Sequence, residues 1–212
     1  MIAPEGWPFI LIPLLVGIIA IVVGLPWVGW ALVALGAFGL FFFRNPVREC
    51  AAPDNVACSP ADGKVLTVDD APATLAEKGL PRRVSIFMSL FDVHVNRAPL
   101  DGELIEYSYN PGKKISAFKE KASLENEQNL SIWTTPFGPI GIKQIAGVIA
   151  RRIVFDPALG AARRRGERIG LIRYGSRVEV YVPANAEILV TPGERVKTGG
   201  TPLVRYPAGR PS

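Results

Sequence analysis

The chain has one histidine, two cysteines and two methionines among its 212 residues. A single imidazole excludes a histidine-rich metal centre. Cys50 and Cys58, with seven residues between them, lack the spacing of a zinc knuckle. They read as buried or idle thiols in a reducing compartment, and no metal ligand set emerges. Charge is absent from a whole block: the 38 residues from Gly6 to Phe43 carry none. Helical periodicity is thin in the remainder, and neither an internal repeat nor a low-complexity linker is visible.

That uncharged block is too long for one pass, since about 20 residues span the hydrocarbon core of a bilayer. Gly24-Leu25-Pro26 interrupts it. The expectation is a membrane-anchoring apolar helical hairpin over 1–43, with Trp7, Trp27 and Trp30 where interfacial aromatics sit. Glu5 replaces the basic start of a cleaved signal peptide, which argues against one. All 24 lysines and arginines follow Phe43, against 18 acidic residues, so the rest of the chain is net +6. Arg44 and Arg48 directly after the apolar block place the following domain, 44–212, at the cytoplasmic face of the cell membrane. A basic domain tethered there meets an anionic membrane surface. The basic residues alternate with acids and lack an aromatic-basic stripe, so nucleic acid is not an expected partner.

Beyond Phe43 the pattern is that of strands: Val65–Val68, Arg83–Met88, Glu103–Tyr107, Leu130–Trp133 and Ile169–Tyr174. Ile140 to Phe155 is a long β-branched stretch in which Gly141 and Gly147 suggest bends or bulges. Helix is expected only at Ala73 to Lys78 and Ser116 to Leu124, with a turn near Ala158 to Ala162 and a loose tail from Pro207. The fold class is α+β and β-dominated, a barrel-like or sandwich-like domain behind the helical hairpin.

Gly175-Ser176 interrupts the strand-like run from Ile169 to Val182. After it, Val178, Val180 and Val182 alternate with Arg177, Glu179 and Tyr181, the period of a strand with one buried face. A serine hydroxyl held against a preceding glycine carbonyl can attack its own backbone, because glycine neither shields that carbonyl nor resists the dihedrals required. An isolated Gly-Ser is ordinarily a turn. Two further segments give this one meaning. Ser59-Pro60-Ala61-Asp62-Gly63-Lys64-Val65 puts an acid in a tight turn entering a strand, and Phe91 to Pro99 carries the single histidine, His94. Asp62, His94 and Ser176 come from separated segments, as acid, base and nucleophile usually do.

In this order and spacing, several segments resemble the short bacterial and archaeal form of phosphatidylserine decarboxylase, over roughly Phe43 to Tyr206. They are Pro60-Ala61-Asp62-Gly63-Lys64-Val65, Asp92-Val93-His94-Val95-Asn96-Arg97-Ala98-Pro99, Asn126-Glu127-Gln128-Asn129, Ala150-Arg151-Arg152-Ile153-Val154 and Gly166-Glu167-Arg168-Ile169-Gly170 leading into Arg173-Tyr174-Gly175-Ser176-Arg177. The resemblance implies a carboxy-lyase made as a proenzyme that cuts itself between Gly175 and Ser176. The products would be a membrane-bound β chain, 1–175, and an α chain, 176–212, held together as a heterodimer. Ser176 would become a covalent pyruvoyl group, the only cofactor. Its ketone would form a Schiff base with the amine of phosphatidylserine and accept the electrons released as carbon dioxide leaves. The reaction would release carbon dioxide and leave phosphatidylethanolamine.

By the same resemblance, Asp62 and His94 orient and deprotonate Ser176. Longer members carry His-x-x-His-x-Pro where this chain has His94, Arg97 and Pro99, leaving one imidazole for cleavage, decarboxylation or both. Lys113-Lys114, Arg151-Arg152 and Arg163-Arg164-Arg165 are candidates for the lipid phosphate or an anionic leaflet. Arg151 and Arg152, inside an apolar run, are the substrate-binding choice, and Arg163 to Arg165 read as a solvated basic face. A competing reading is a membrane-tethered binding module without catalysis. The Val190–Gly200 and Pro60–Gly63 turns resemble those of biotinyl-like β-barrels, although no Met-Lys-Met attachment site is present. Within the enzyme reading, the serine head group sits on either a bacterial or an archaeal-type lipid.

Overall fold

A computed structural model of the chain describes residues 1–112, 126–147, 152–173 and 176–208. The chain divides into two compact units, Met1–Val47 and Arg48–Ser212.

The first unit is the expected hairpin: α1 (Trp7–Val22) and α2 (Pro26–Phe42). Gly24, at φ 88°, makes the turn, and Pro26 opens α2 at a position where its missing N–H costs nothing. The helices touch backbone to backbone. A Cβ on Gly17 would lie 2.8 Å from the Gly29 carbonyl oxygen, so a larger residue would drive the pair apart. Leu11, Ile12, Leu15, Ile18, Leu25 and Trp27 turn outward and stay exposed. The segment Pro4–Val22 is long and apolar enough to cross a membrane.

The second unit is built of short strands. In chain order they are β1 (Val56–Cys58), β2 (Gly63–Asp70), β3 (Arg82–Met88), β4 (Val95–Arg97), β5 (Gly102–Asn110), β6 (Gln128–Thr135) and β7 (Gly138–Ala146). They continue with β8 (Ile153–Phe155), β9 (Ala162–Arg163), β10 (Arg168–Ile172), β11 (Ser176–Val182), β12 (Glu187–Ile188), β13 (Arg195–Val196) and β14 (Pro202–Arg205). The main sheet has eight strands in the order β13-β2-β3-β11-β7-β6-β5-β9, and its neighbouring strands pair antiparallel. Two three-stranded sheets, β1-β14-β12 and β4-β10-β8, accompany it. Val65, Val84, Ile86, Ile142, Val178, Val180, Val182 and Leu203 belong to one buried apolar cluster. Among the described residues of this unit, the one helix, α3 (Ala73–Ala76), is a single turn inside the expected stretch, and Leu159-Gly160 forms the expected turn. The helix expected over Ser116 to Leu124 lies outside the described residues.

Three expectations are corrected. β11 has two buried faces instead of one: Ser176 to Val182 are all buried. It lies between β3 and β7 near the middle of the sheet, Tyr181 packs with Leu75, Leu80 and Ile132, and the charged residues on that face pair with each other. Gly141 makes no bend, because the β7 register runs through it unbroken. A Cβ there would meet Tyr181 Cβ and Leu80 Cδ1 at 3.2 Å, so the glycine serves close packing. Cys50 and Cys58 are not idle thiols. They form a disulfide, with Cα atoms 6.4 Å apart, that ties the segment after Arg48 to β1.

Candidate active site

Between Ile172 and Ser176 the chain leaves the small sheet of β10 and enters the large sheet as β11. Tyr174 and Gly175, in that crossing, lie outside the described residues. Ser176 opens β11 opposite Met88 on β3 and Ala146 on β7. Its side chain is fully buried, and its Oγ–H donates to Met88 Sδ at 3.3 Å. The Asn126-Glu127-Gln128-Asn129 motif grips the β7 side of this position. Asn126 Nδ2 donates to the Ala146 carbonyl at 2.6 Å, and the Ala146 N–H donates to the Glu127 carbonyl at 2.9 Å.

His94 immediately precedes β4 and is fully buried. The Ile172 N–H donates to its carbonyl at 3.2 Å, which sets the histidine beside the end of β10. The imidazole Nδ1 lies 3.0 Å from the Asp92 carbonyl oxygen. A carbonyl can only accept, so Nδ1 carries the proton, and in the neutral ring Nε2 is the basic nitrogen. The Asp92 carboxylate holds this turn in place. It accepts from the Ser89 N–H at 2.8 Å and the Ser89 hydroxyl at 2.7 Å, and pairs with Arg195 at 3.0 Å.

Asp62 is buried in the turn before β2. Gly63 follows because a Cβ there would lie 2.1 Å from the Phe87 carbonyl oxygen. Both terminal nitrogens of Arg48 donate to the Asp62 carboxylate, Nη2 at 3.1 Å. The Thr198 N–H donates to it at 2.7 Å and the Val93 N–H at 3.4 Å. One hydrogen bond, at Nδ1, fixes the tautomer of His94. That bond is made by the Asp92 carbonyl, while Asp62 holds the backbone one residue before the histidine. Asp62 thus meets the segment of His94 through Val93, and Ser176 meets Met88 on β3.

Sequence reasoning missed Arg48, Thr198 and Met88. Arg48 offered only its place after the apolar block, Thr198 sits 136 residues from Asp62, and a methionine carries no chemical signal of its own. Among the basic candidates, Arg152 is exposed, and its carbonyl accepts from the Arg173 N–H at 3.3 Å. Arg151, Lys113 and Lys114 lie outside the described residues. Arg165 departs from the solvated reading: its Nη1 donates to the Pro53 carbonyl at 2.7 Å and the Val56 carbonyl at 3.2 Å.

The sequence profile described as phosphatidylserine decarboxylase matches residues 35–203. Three bacterial relatives carry the name phosphatidylserine decarboxylase proenzyme. That of Magnetococcus marinus is 41% identical over 209 residues, 97% of this chain and 95% of the relative. That of Symbiobacterium thermophilum is 41% identical over 98% of this chain and 96% of the relative. That of Geotalea daltonii is 42% identical over 95% of each. With most of its length matched at this identity, the chain belongs to the phosphatidylserine decarboxylase family and is a carboxy-lyase.

Proposed function

We propose that this proenzyme cuts itself between Gly175 and Ser176, converts Ser176 to a pyruvoyl group, and decarboxylates phosphatidylserine to phosphatidylethanolamine at a membrane. The observation that carries the reading is the full burial of Ser176 at the start of β11 and of His94, whose carbonyl accepts from the Ile172 N–H at the end of β10. In the neutral ring, Nε2 is free of the proton held on Nδ1 and suits a general base. In the cleavage, the base takes the Ser176 hydroxyl proton, Oγ bonds to the Gly175 carbonyl carbon, and the peptide C–N bond breaks to leave an ester and a free amine. Loss of the Ser176 α-proton then expels the Gly175 carboxylate, and the resulting dehydroalanine takes up water and releases ammonia.

The residues around Ser176 fit a ketone in that place. A fully buried site excludes bulk water, and Oγ donates to a soft, uncharged thioether. The pyruvoyl group supplies an electron sink for decarboxylation. His94 is the chain's one imidazole for moving protons there, and Asp62 and Asp92 fix the turn that carries it. Arg151 and Arg152 remain the candidates for the lipid phosphate. The exposed apolar hairpin supports membrane insertion, with the basic domain against an anionic leaflet. After cleavage, β11 stays as an inner strand of the sheet, which supports an α–β heterodimer.

Mass spectrometry of the purified chain tests this. Wild type should give 1–175 and a 176–212 fragment lighter by one ammonia, and Ser176→Ala should stay intact and inactive. An intact wild-type chain that is folded would refute the reading. Supplying the serine head group on bacterial and on archaeal-type lipids distinguishes the two substrates.

A further inference from the structure

Three amides are buried where the fold calls for aliphatics. Gln144 lies on the core face of β7, between Ile142 and Ala146 and opposite Val178. Asn129 lies beside it on β6, and Asn96 reaches it from β4; all three are at most 1% exposed. They form a chain. Asn129 Nδ2 donates to Gln144 Oε1 at 2.9 Å, and Gln144 Nε2 donates to Asn96 Oδ1 at 2.7 Å. Asn96 Nδ2 then approaches the Pro60 carbonyl at 3.3 Å and Met88 Sδ at 3.9 Å. Among the described residues, Asn129 Oδ1 has no hydrogen-bond partner. A buried acceptor left this way costs about 1–3 kcal/mol, a cost that an apolar trio would avoid.

What the amides do that aliphatics could not is tie two sheets together at one point. Asn96 belongs to the small sheet, two residues after His94, and Gln144 to the large sheet, two residues before Ala146, the partner of Ser176. Asn96 also meets the sulfur to which the Ser176 hydroxyl donates. We propose that Asn96 and Gln144 are positioning residues for self-cleavage: their hydrogen bond sets the separation between β4, which His94 immediately precedes, and β7, whose Ala146 pairs with Ser176. The inference rests on the self-cleavage reading above.

The test is the triple variant Asn96→Leu, Gln144→Met, Asn129→Leu. It removes donors and acceptors together, so the thermal midpoint should hold. Pro60 keeps donors from Arg97 N and Thr198 Oγ1. The cleaved fraction, followed over time beside wild type, should appear about 100-fold more slowly, the usual consequence of a base misplaced by about 1 Å. A triple variant that matures at the wild-type rate overturns the proposal, whereas a folded wild type that never cleaves overturns the self-cleavage reading instead.

Should the triple variant not fold, Gln144→Glu carries the test through its pH profile. Gln144 faces Asn96 from β4, Asn129 from β6 and Val178 from β11, while Lys143 and Glu179 lie on the other face of the sheet. His94, near Asn96, is the titratable group on the small-sheet side. A protonated glutamic acid can donate to Asn96 Oδ1 and a carboxylate cannot. Maturation of Gln144→Glu should therefore speed up on acidification, opposite to wild type, which needs neutral His94. A profile parallel to wild type overturns the proposal.

Discussion

Replacing Glu179 by glutamine should cost this protein a large part of its stability. Glu179 is fully buried on the second face of β11. The Tyr181 hydroxyl donates to it at 2.5 Å, Arg83 lies at 3.4 Å and Arg177 at 3.5 Å. Burial pushes the Tyr181 hydroxyl well above its usual range, so it remains a donor. Arg83 also pairs with Asp69 through two bonds of 2.8 Å, but Arg177 is 4% exposed and draws on Glu179 for its charge balance here. Removing one partner of a buried pair costs about 3–5 kcal/mol, because the remaining charge is still desolvated. Against a total stability of about 5–15 kcal/mol, that is about a fifth or more. At about 2–4 °C per kcal/mol, the thermal midpoint should fall by about 6–20 °C. The comparison belongs in a Ser176→Ala background, where the chain stays covalent and denaturant unfolding can be extrapolated to water. Glu179→Met with Arg177→Met should recover most of the loss, since an apolar pair needs no charge balance. A Glu179→Gln loss below about 1 kcal/mol, typical of a surface change, would refute the reasoning. The same cluster has a functional side. After cleavage at Ser176, Arg177, Glu179 and Tyr181 would belong to the α chain and Asp69 and Arg83 to the β chain, so it would bind the two together.

Gly170→Ala should destabilise the small sheet by about 1–3 kcal/mol or more and slow maturation, because its Cβ would lie 2.1 Å from the Val154 carbonyl oxygen and β8 must give way; a wild-type midpoint and cleavage rate would contradict this. Asp69 is held below the usual carboxylate range by its hydrogen bonds to Arg83, with burial opposing. Its contribution is therefore complete above the unfolded value of about 3.9 and lost as pH falls through the lower folded value. Thermal midpoints should drop on acidification below about pH 4, less steeply in Asp69→Asn, and parallel curves would exclude Asp69 as a source. A chain starting at Arg44 should leave vesicles that the full chain binds; equal partition of both in a flotation assay would refute the hairpin as anchor.

The hairpin and most of the strand segments were legible in the sequence, because they depend on local quantities: an uncharged length interrupted by Gly24-Leu25-Pro26, and alternation along runs such as Arg83 to Met88. The start of a strand at Ser176 was legible for a related reason, since the alternation that follows it is itself a local pattern. Alternation misreported β11, however. It records which residues are apolar and says nothing of what covers the other face, and there Tyr181 with the charged pairs completes a second buried layer. The surroundings of the candidate base and acid were decided by tertiary structure alone. Asp62 is reached by Arg48 and Thr198, 14 and 136 residues away, and the imidazole is oriented by a backbone carbonyl that has no side-chain signature. Asn96, Gln144 and Asn129 were separate polar letters in apolar runs until β4, β6 and β7 came together. Residue type sets what a group can donate, accept or bury, but which groups meet is set by strand pairing across the whole chain.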